Sequence, residues 1–257
     1  DGAVVLTPSS TLYLVGAANF TTEANDHLTF VAVAANDVRQ IGAGLKDGGS
    51  PVAAGGGDLR NFIIDGDFTQ WPEGTDVVPF ANSAYGPALW QWFRTGGEIV
   101  VDATRSTDVP TVAESGHQST YAFEIDVTTA ESAVAAGDYG YPEFIITGSD
   151  FTYLHQQEVT FNFWHKHTKT GTYCVAFSNS ALDRSYIAEY TQSTTNTWEE
   201  ATITLTLDTS GTWLFTEADY GLVVSLVLGS GSTTESSKDS WLGANVRSTS
   251  SQVAFTA

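Results

Sequence analysis

Alternation of apolar and polar residues with a period of two constrains the fold of this chain more than any other feature. Residues 121–127, 159–164 and 201–207 each place apolar side chains at every second position. This pattern is typical of strands that bury one face only. After residue 60, Gly, Ser and Asn turn signals recur at short intervals and no helical period persists. We therefore predict an all-β fold with a β-sandwich.

One stretch departs from this alternation. Residues 221–228 read Gly-Leu-Val-Val-Ser-Leu-Val-Leu and are apolar on both faces. Such a run predicts a strand at the centre of a sheet, or a strand that a neighbouring subunit covers. Trp90 and Trp92 also share one face of a strand-like run by the same period of two.

Composition divides the chain into three parts. Residues 1–44 contain short strand candidates, which are too short to bury enough surface alone. Residues 45–59 are rich in glycine and predict a flexible linker. Residues 60–257 are long enough for a sizeable core and hold the predicted sandwich. The strand candidates of the first part are 4–6, 11–15, 28–33 and 38–41.

The charge balance is strongly acidic, with 30 Asp and Glu residues against 10 Lys and Arg residues and a formal net charge of −20. This argues against binding to nucleic acid and to anionic membranes, both of which require a basic surface. Two interpretations stay open, namely solubility through mutual repulsion and carboxylate clusters that hold calcium. The single cysteine, Cys174, lies in a strand-like run and predicts a packed side chain rather than a nucleophile.

Residues 61–74 carry the most specific motif, Asn-Phe-Ile-Ile-Asp-Gly-Asp-Phe-Thr-Gln-Trp-Pro-Glu-Gly. An apolar run of strand length, an Asp-Gly turn signal and a closing glycine predict a first strand and turn. The motif resembles the opening of the distal jelly roll in many phage tail-fibre and head-fibre proteins, with Asp65 in place of the usual Asn. Residues 12–26 resemble a small repeat of phage fibres. The order of the motifs in 159–164, 196–204, 208–213 and 221–224 also resembles that jelly roll. Similar phage modules carry an aromatic run at the position of Trp90 and Trp92 that packs inside the sandwich, which implies that these two side chains lie in the core.

The resemblance implies a virion fibre or spike with an intertwined trimeric shaft in residues 1–44. The module at 60–257, which is similar to carbohydrate-binding modules, would bind host-surface polysaccharide at the virion surface. The implied partners are further copies of this chain and other virion structural proteins. Two alternatives remain open: a capsid- or tail-decorating protein without sugar specificity, and a secreted bacterial carbohydrate-binding module.

The ends of the sequence also differ from those of a complete protein of this kind. The sequence contains no methionine, and the strand expected at 251–255 is not followed by the final apolar strand of similar modules. Either the N-terminus was processed or the sequence begins inside a longer protein, and we expect the sequence to be incomplete at both ends.

A glycan site is predicted at Trp164, Asn162 and Lys166. Alternation places Trp164 on the face opposite Phe161 and Phe163, beside the polar residues Asn162 and Lys166. A flat ring can pack on the C–H face of a sugar while polar neighbours bind its hydroxyl groups. The alternative is a tryptophan that a loop or a sister subunit shields.

Two further groups are candidates for metal binding. Asp65 and Asp67 flank Gly66 and could supply oxygens to a structural calcium ion, or they could simply form the turn. His165 and His167 share one strand face, but the sequence offers no third ligand at zinc spacing, so we interpret them as polar residues at a strand end. No paired-carboxylate cleft, nucleophile elbow or metal-binding helix is evident, so we expect no enzymatic activity.

Overall fold

The computed structural model describes residues 61–96, 99–131 and 134–254, together with the backbone of five strands within residues 5–44. The chain forms two compact units, residues 1–61 and residues 62–257. The predicted linker at 45–59 lies outside the described residues. No helix within the described part is long and apolar enough to cross a membrane.

The described part of the first unit consists of five paired β-strands. Strand β1 pairs antiparallel with β3, while β5 lies between β2, to which it is parallel, and β4, to which it is antiparallel. Four of these strands fall in the stretches that the sequence predicted, and β3 was not predicted. Their assembly into a shared shaft stays a prediction. The strands are β1 (Val5–Leu6), β2 (Leu12–Tyr13), β3 (Phe20–Thr21), β4 (His27–Ala34) and β5 (Asp37–Gly44).

The second unit contains the remaining strands and two helices of a single turn. The helices are α1 (Val112–Ser115) and α2 (Gly148–Phe151). The strands are β6 (Asp76–Val77), β7 (Trp90–Thr95), β8 (Val100–Ser106), β9 (Ala122–Thr129), β10 (Tyr139–Thr147), β11 (Glu158–His165), β12 (Gly171–Ser178), β13 (Ser185–Gln192), β14 (Glu199–Thr206), β15 (Tyr220–Val227), β16 (Gly229–Ser230) and β17 (Trp241–Leu242).

One layer is a seven-stranded sheet in the order β7, β10, β15, β12, β13 and β17, with the short β16 also paired to β10. The opposite layer holds two smaller sheets, β11 with β14 and β6 with β8 and β9. All pairings between these strands are antiparallel. The structure therefore confirms the predicted all-β sandwich.

The core lies between these layers, and the period-two pattern explains which side chains enter it. Ala201, Ile203, Leu205 and Leu207 are buried, whereas the threonines between them are exposed. Phe161 and Phe163 pack against the same core from β11. The predicted core positions of Trp90 and Trp92 are confirmed, since the two side chains are 3% and 0% exposed.

A second apolar cluster covers the other face of the seven-stranded sheet. It joins Cys174, Ala176, Ile187 and Val227 to Val246 of the segment that follows the sheet. The double-sided apolar pattern of residues 221–228 is thus satisfied within one chain, because β15 lies between β10 and β12 and is covered on both faces. This burial also confirms that Cys174 is a packed side chain.

Two strand predictions were wrong in part. Residues 61–64 form no strand, because the chain turns at once through positive φ values at Asp65 (55°) and Phe68 (52°). Phe62 and Ile63 pack on the core from this loop, so their apolar character reflects anchoring rather than a strand. In the described part of 251–255, Gln252 makes a single parallel bridge to Thr172.

Candidate functional site

The outward side of the two-stranded sheet is polar and exposed, and we call it the polar face. From β11 it contains Glu158, Thr160, Asn162 and Trp164, and from β14 it contains Glu200, Thr202 and Thr204. Antiparallel register places Trp164 opposite Glu200, Asn162 opposite Thr202, and Thr160 opposite Thr204. Since successive side chains of a strand point to opposite sides, the residues between them face the core.

Hydrogen bonds across the strands fix the polar side chains. Asn162 Nδ2 donates to Glu200 Oε1 and to Thr202 Oγ1, both at 2.8 Å. The hydroxyl oxygens of Thr160 and Thr204 lie 3.1 Å apart. An amide nitrogen carries two hydrogens, so both donors of Asn162 are engaged. What remains for a ligand is the Asn162 carbonyl, the Glu200 carboxylate and the threonine hydroxyls.

The end of the polar face is closed by three side chains from three parts of the chain. Lys166 forms an ion pair with the carboxylate of Asp108, which lies in the loop after β8. Trp198, just before β14, donates from Nε1 to Asp108 Oδ1 at 3.1 Å, and the Lys166 ammonium lies 5.4 Å from its ring centroid. The hydrogen bond from Lys166, with that from Trp198, lowers the pKa of Asp108. This cluster orients the Trp198 ring and engages the lysine charge.

The structure therefore brings the three predicted glycan residues onto one side of the molecule. Trp164 is half-buried, Asn162 is exposed, and Lys166 follows on the same side just after β11. Sequence reasoning missed Trp198, Glu200 and Asp108 as neighbours. Only the pairing of β11 with β14 could have indicated Trp198 and Glu200, and no local pattern specifies that pairing.

The predicted calcium residues are occupied by other contacts. The Asp65 carboxylate accepts hydrogen bonds from the backbone N of Thr69 at 3.0 Å and of Gln70 at 2.8 Å. Asp67 Oδ2 lies 3.0 Å from Nε2 of His117. Among the described residues, no group of three or more His, Cys, Asp or Glu side chains could hold a metal ion. A calcium ion at Asp65 and Asp67 stays a prediction.

The two histidines pack inward, towards aromatic rings. The ring of His167 stacks on Tyr173 with centroids 3.9 Å apart, and its Nε2 lies 3.2 Å from the hydroxyl of Tyr190. His165 Nδ1 lies 2.9 Å from Gln192 Oε1. Burial, reinforced by the neighbouring His165, lowers the pKa of His167 to about 4. Neutral, packed imidazoles of this kind stabilise the sheet end.

A buried polar cluster lies on the far side of the seven-stranded sheet. Gln91 Nε2 donates to Glu143 Oε1 at 2.8 Å, and burial raises the pKa of Glu143. The Arg247 guanidinium lies 5.2 Å from the ring centroid of Tyr141 and is 1% exposed. These groups are closed off from solvent and are not open to a ligand at the surface, so the polar face remains the candidate site.

Comparison with known proteins adds little to this geometry. No protein-family model matches the sequence, and no curated protein matches it. Among solved structures, the fold is distantly similar to the enzymatically active domain of tailspike protein 4 of bacteriophage CBA120, at a TM-score of 0.33 and 15% identity. The similarity covers 55% of this chain and 19% of that chain. At this distance, it carries no argument about function.

Proposed function

We propose that this chain is a fibre or spike protein of a virion, and that its sandwich binds host-surface glycan at the polar face. The observation that carries the proposal is the placement of Trp164 on the outward side of one two-stranded sheet, in a row with hydroxyl, amide and carboxylate groups. Trp198 lies just before β14, beside Lys166 and Asp108 at the end of this row. An aromatic ring supplies a stacking surface, and the polar row supplies partners for sugar hydroxyls.

Packing supports Trp164 as a binding residue rather than a core residue. Its strand neighbours Phe161 and Phe163 pack against the main core, whereas Trp164 lies on the opposite side of β11. A half-buried tryptophan outside the core keeps part of its ring available to a ligand. Placement at the virion surface, as a homotrimer in contact with other virion proteins, rests on the sequence resemblance of residues 12–26 and 61–74.

The affinity expected of one such site is low. A stacked ring contributes on the order of 1–3 kcal/mol, by analogy with base–aromatic stacking. Three copies in a trimer would raise the apparent affinity without new contacts, provided that the three polar faces reach one cell surface.

The test is binding of the full chain to an array of bacterial surface polysaccharides, with Trp164→Ala as the variant. The proposal expects the variant to bind about 5–150-fold more weakly, which is the stacking energy expressed as a ratio of affinities. Phe215→Ala is the matched control, because Phe215 is 43% exposed but lies beside α2, in contact with Phe151.

Two outcomes would contradict the proposal. If the array detects no polysaccharide ligand, or if Trp164→Ala binds as well as the natural chain, the polar face is not a glycan site and a purely structural virion role is favoured. The proposal also expects no cleavage of the bound polysaccharide. Release of reducing ends during incubation would show that the protein is an enzyme.

A further inference from the structure

We infer that the polar face selects polysaccharides without net negative charge, whose hydroxyl or amine groups donate hydrogen bonds to it. This inference rests on the proposed function and specifies its ligand class. Two independent features lead to it, the charge on the face and the kind of hydrogen-bonding group that the face leaves open.

The charge of the face is negative. Glu158 and Glu200 lie on the polar face and are exposed. At its end, the Lys166 ammonium is paired with the Asp108 carboxylate, so these two charges offset one another. Two carboxylates therefore remain uncompensated on the surface where a ligand would lie, within a protein of formal net charge −20.

No other cation of the two strands compensates these carboxylates, because neither β11 nor β14 contains a lysine or an arginine. The remaining described cations of the sandwich contact other groups of the protein. Two more of them form ion pairs, Arg184 with Asp208 and Lys238 with Glu189. The others donate to backbone carbonyls or to a buried hydroxyl: Arg94 to Ile99, Arg105 to Thr69, Lys169 to Ala254 and Arg247 to Ser178. A carboxylated, sulfated or phosphorylated glycan on the polar face would thus meet no lysine or arginine of β11 or β14.

The hydrogen-bonding groups lead to the same conclusion. Both amide hydrogens of Asn162 are engaged by Glu200 and Thr202. A carboxylate only accepts hydrogen bonds, so the open positions on Glu200 require a donor from the ligand. Sugar hydroxyls and protonated amines are donors, whereas a ligand carboxylate is an acceptor and would be repelled. The threonine hydroxyls can both donate and accept, so the preference for ligand donors comes from the Glu200 carboxylate and the Asn162 carbonyl, in agreement with the charge.

The experiment compares neutral, amine-bearing and carboxylated polysaccharides in binding to the full chain at about 20 mM and about 500 mM salt. Two unit charges about 8 Å apart in water repel one another by about 0.5 kcal/mol, so each anionic ligand group that faces one of these carboxylates should weaken binding about twofold. We expect carboxylated polysaccharides to bind at least about twofold more weakly than neutral ones at low salt. This difference in affinity should shrink at high salt because the charges are screened.

Glu200→Gln is the diagnostic variant, since it removes one charge and keeps an oxygen that can accept from Asn162. It should reduce the difference in affinity between neutral and carboxylated polysaccharides at low salt. Glu217→Gln is the matched control, because it removes the same charge from an exposed position in the loop between β14 and β15. The control should leave this difference in affinity unchanged.

The outcomes separate this inference from the proposed function. Tight, Trp164-dependent binding of a carboxylated polysaccharide would overturn the ligand class while the glycan site stands. An equal effect of Glu200→Gln and Glu217→Gln would also overturn it, because the selectivity would then come from the overall charge. Binding that is absent, or that ignores Trp164→Ala, would overturn both.

Discussion

Acidification should destabilise the sandwich through His167. The imidazole is stacked on Tyr173 and contacts Tyr190, and burial lowers its pKa to about 4. An unfolded histidine has a pKa of about 6.5. The unfolded chain therefore takes up a proton first as the pH falls, and stability is lost as the pH drops from about 6.5 towards 4.

The size of the effect follows from these two pKa values. Linkage between them gives a loss of about 2 kcal/mol in the free energy of unfolding between about pH 7 and pH 5 from His167 alone. For a domain of this length, that loss lowers the Tm by roughly 4–8 °C. His165 adds to the trend in the same direction, since burial also lowers its pKa.

The variant His167→Phe tests whether His167 causes this pH dependence of stability. Phenylalanine keeps a ring stacked on Tyr173 but cannot take up a proton. Between about pH 7 and pH 5, the free energy of unfolding of the variant should therefore fall by about 2 kcal/mol less than that of the natural chain. Thermal or denaturant unfolding across this range measures the difference. Absolute stability at neutral pH should fall as well, because the buried Tyr190 hydroxyl loses its contact with Nε2.

Tyr190→Phe is the control for that lost contact. It removes the hydroxyl but keeps His167, so most of the pH dependence of the natural chain should persist. The reasoning is refuted if His167→Phe and the natural chain lose the same stability on acidification, or if NMR shows the His167 ring titrating near pH 6.5.

Three further predictions concern packing and assembly. Trp92→Ala should lower the free energy of unfolding by about 3–5 kcal/mol, whereas Trp164→Ala should lower it by about 1–2 kcal/mol. Equal losses of stability in denaturant titrations would place Trp164 in the core. Gly148→Ala should lower the Tm clearly, since a Cβ there would lie 2.5 Å from the backbone O of Thr216, whereas Gly66→Ala meets nothing within 4 Å and serves as the control. Light scattering should give a homotrimer for the full chain, and a folded monomer at micromolar concentration would contradict the shared shaft.

The sequence determined the local part of the fold. A period of two specified which side chains of residues 159–164 and 201–207 enter the core, because alternation places successive side chains on opposite faces. The same rule placed Trp164 and Asn162 together on the outer side of one strand. Alternation also placed Trp90 and Trp92 on one face, whereas their assignment to the core came from the sequence resemblance.

The tertiary structure decided what no local pattern contains. Antiparallel pairing of β11 with β14 brings Glu200 and Trp198 beside Trp164 and Lys166, and the loop after β8 adds Asp108. Phe62 and Ile63 became anchors of a loop rather than parts of a strand, because a short apolar run fits a strand or a packed loop equally well. Strand pairing and loop placement depend on contacts between distant segments, and these contacts set the charge and the hydrogen-bonding character of the polar face.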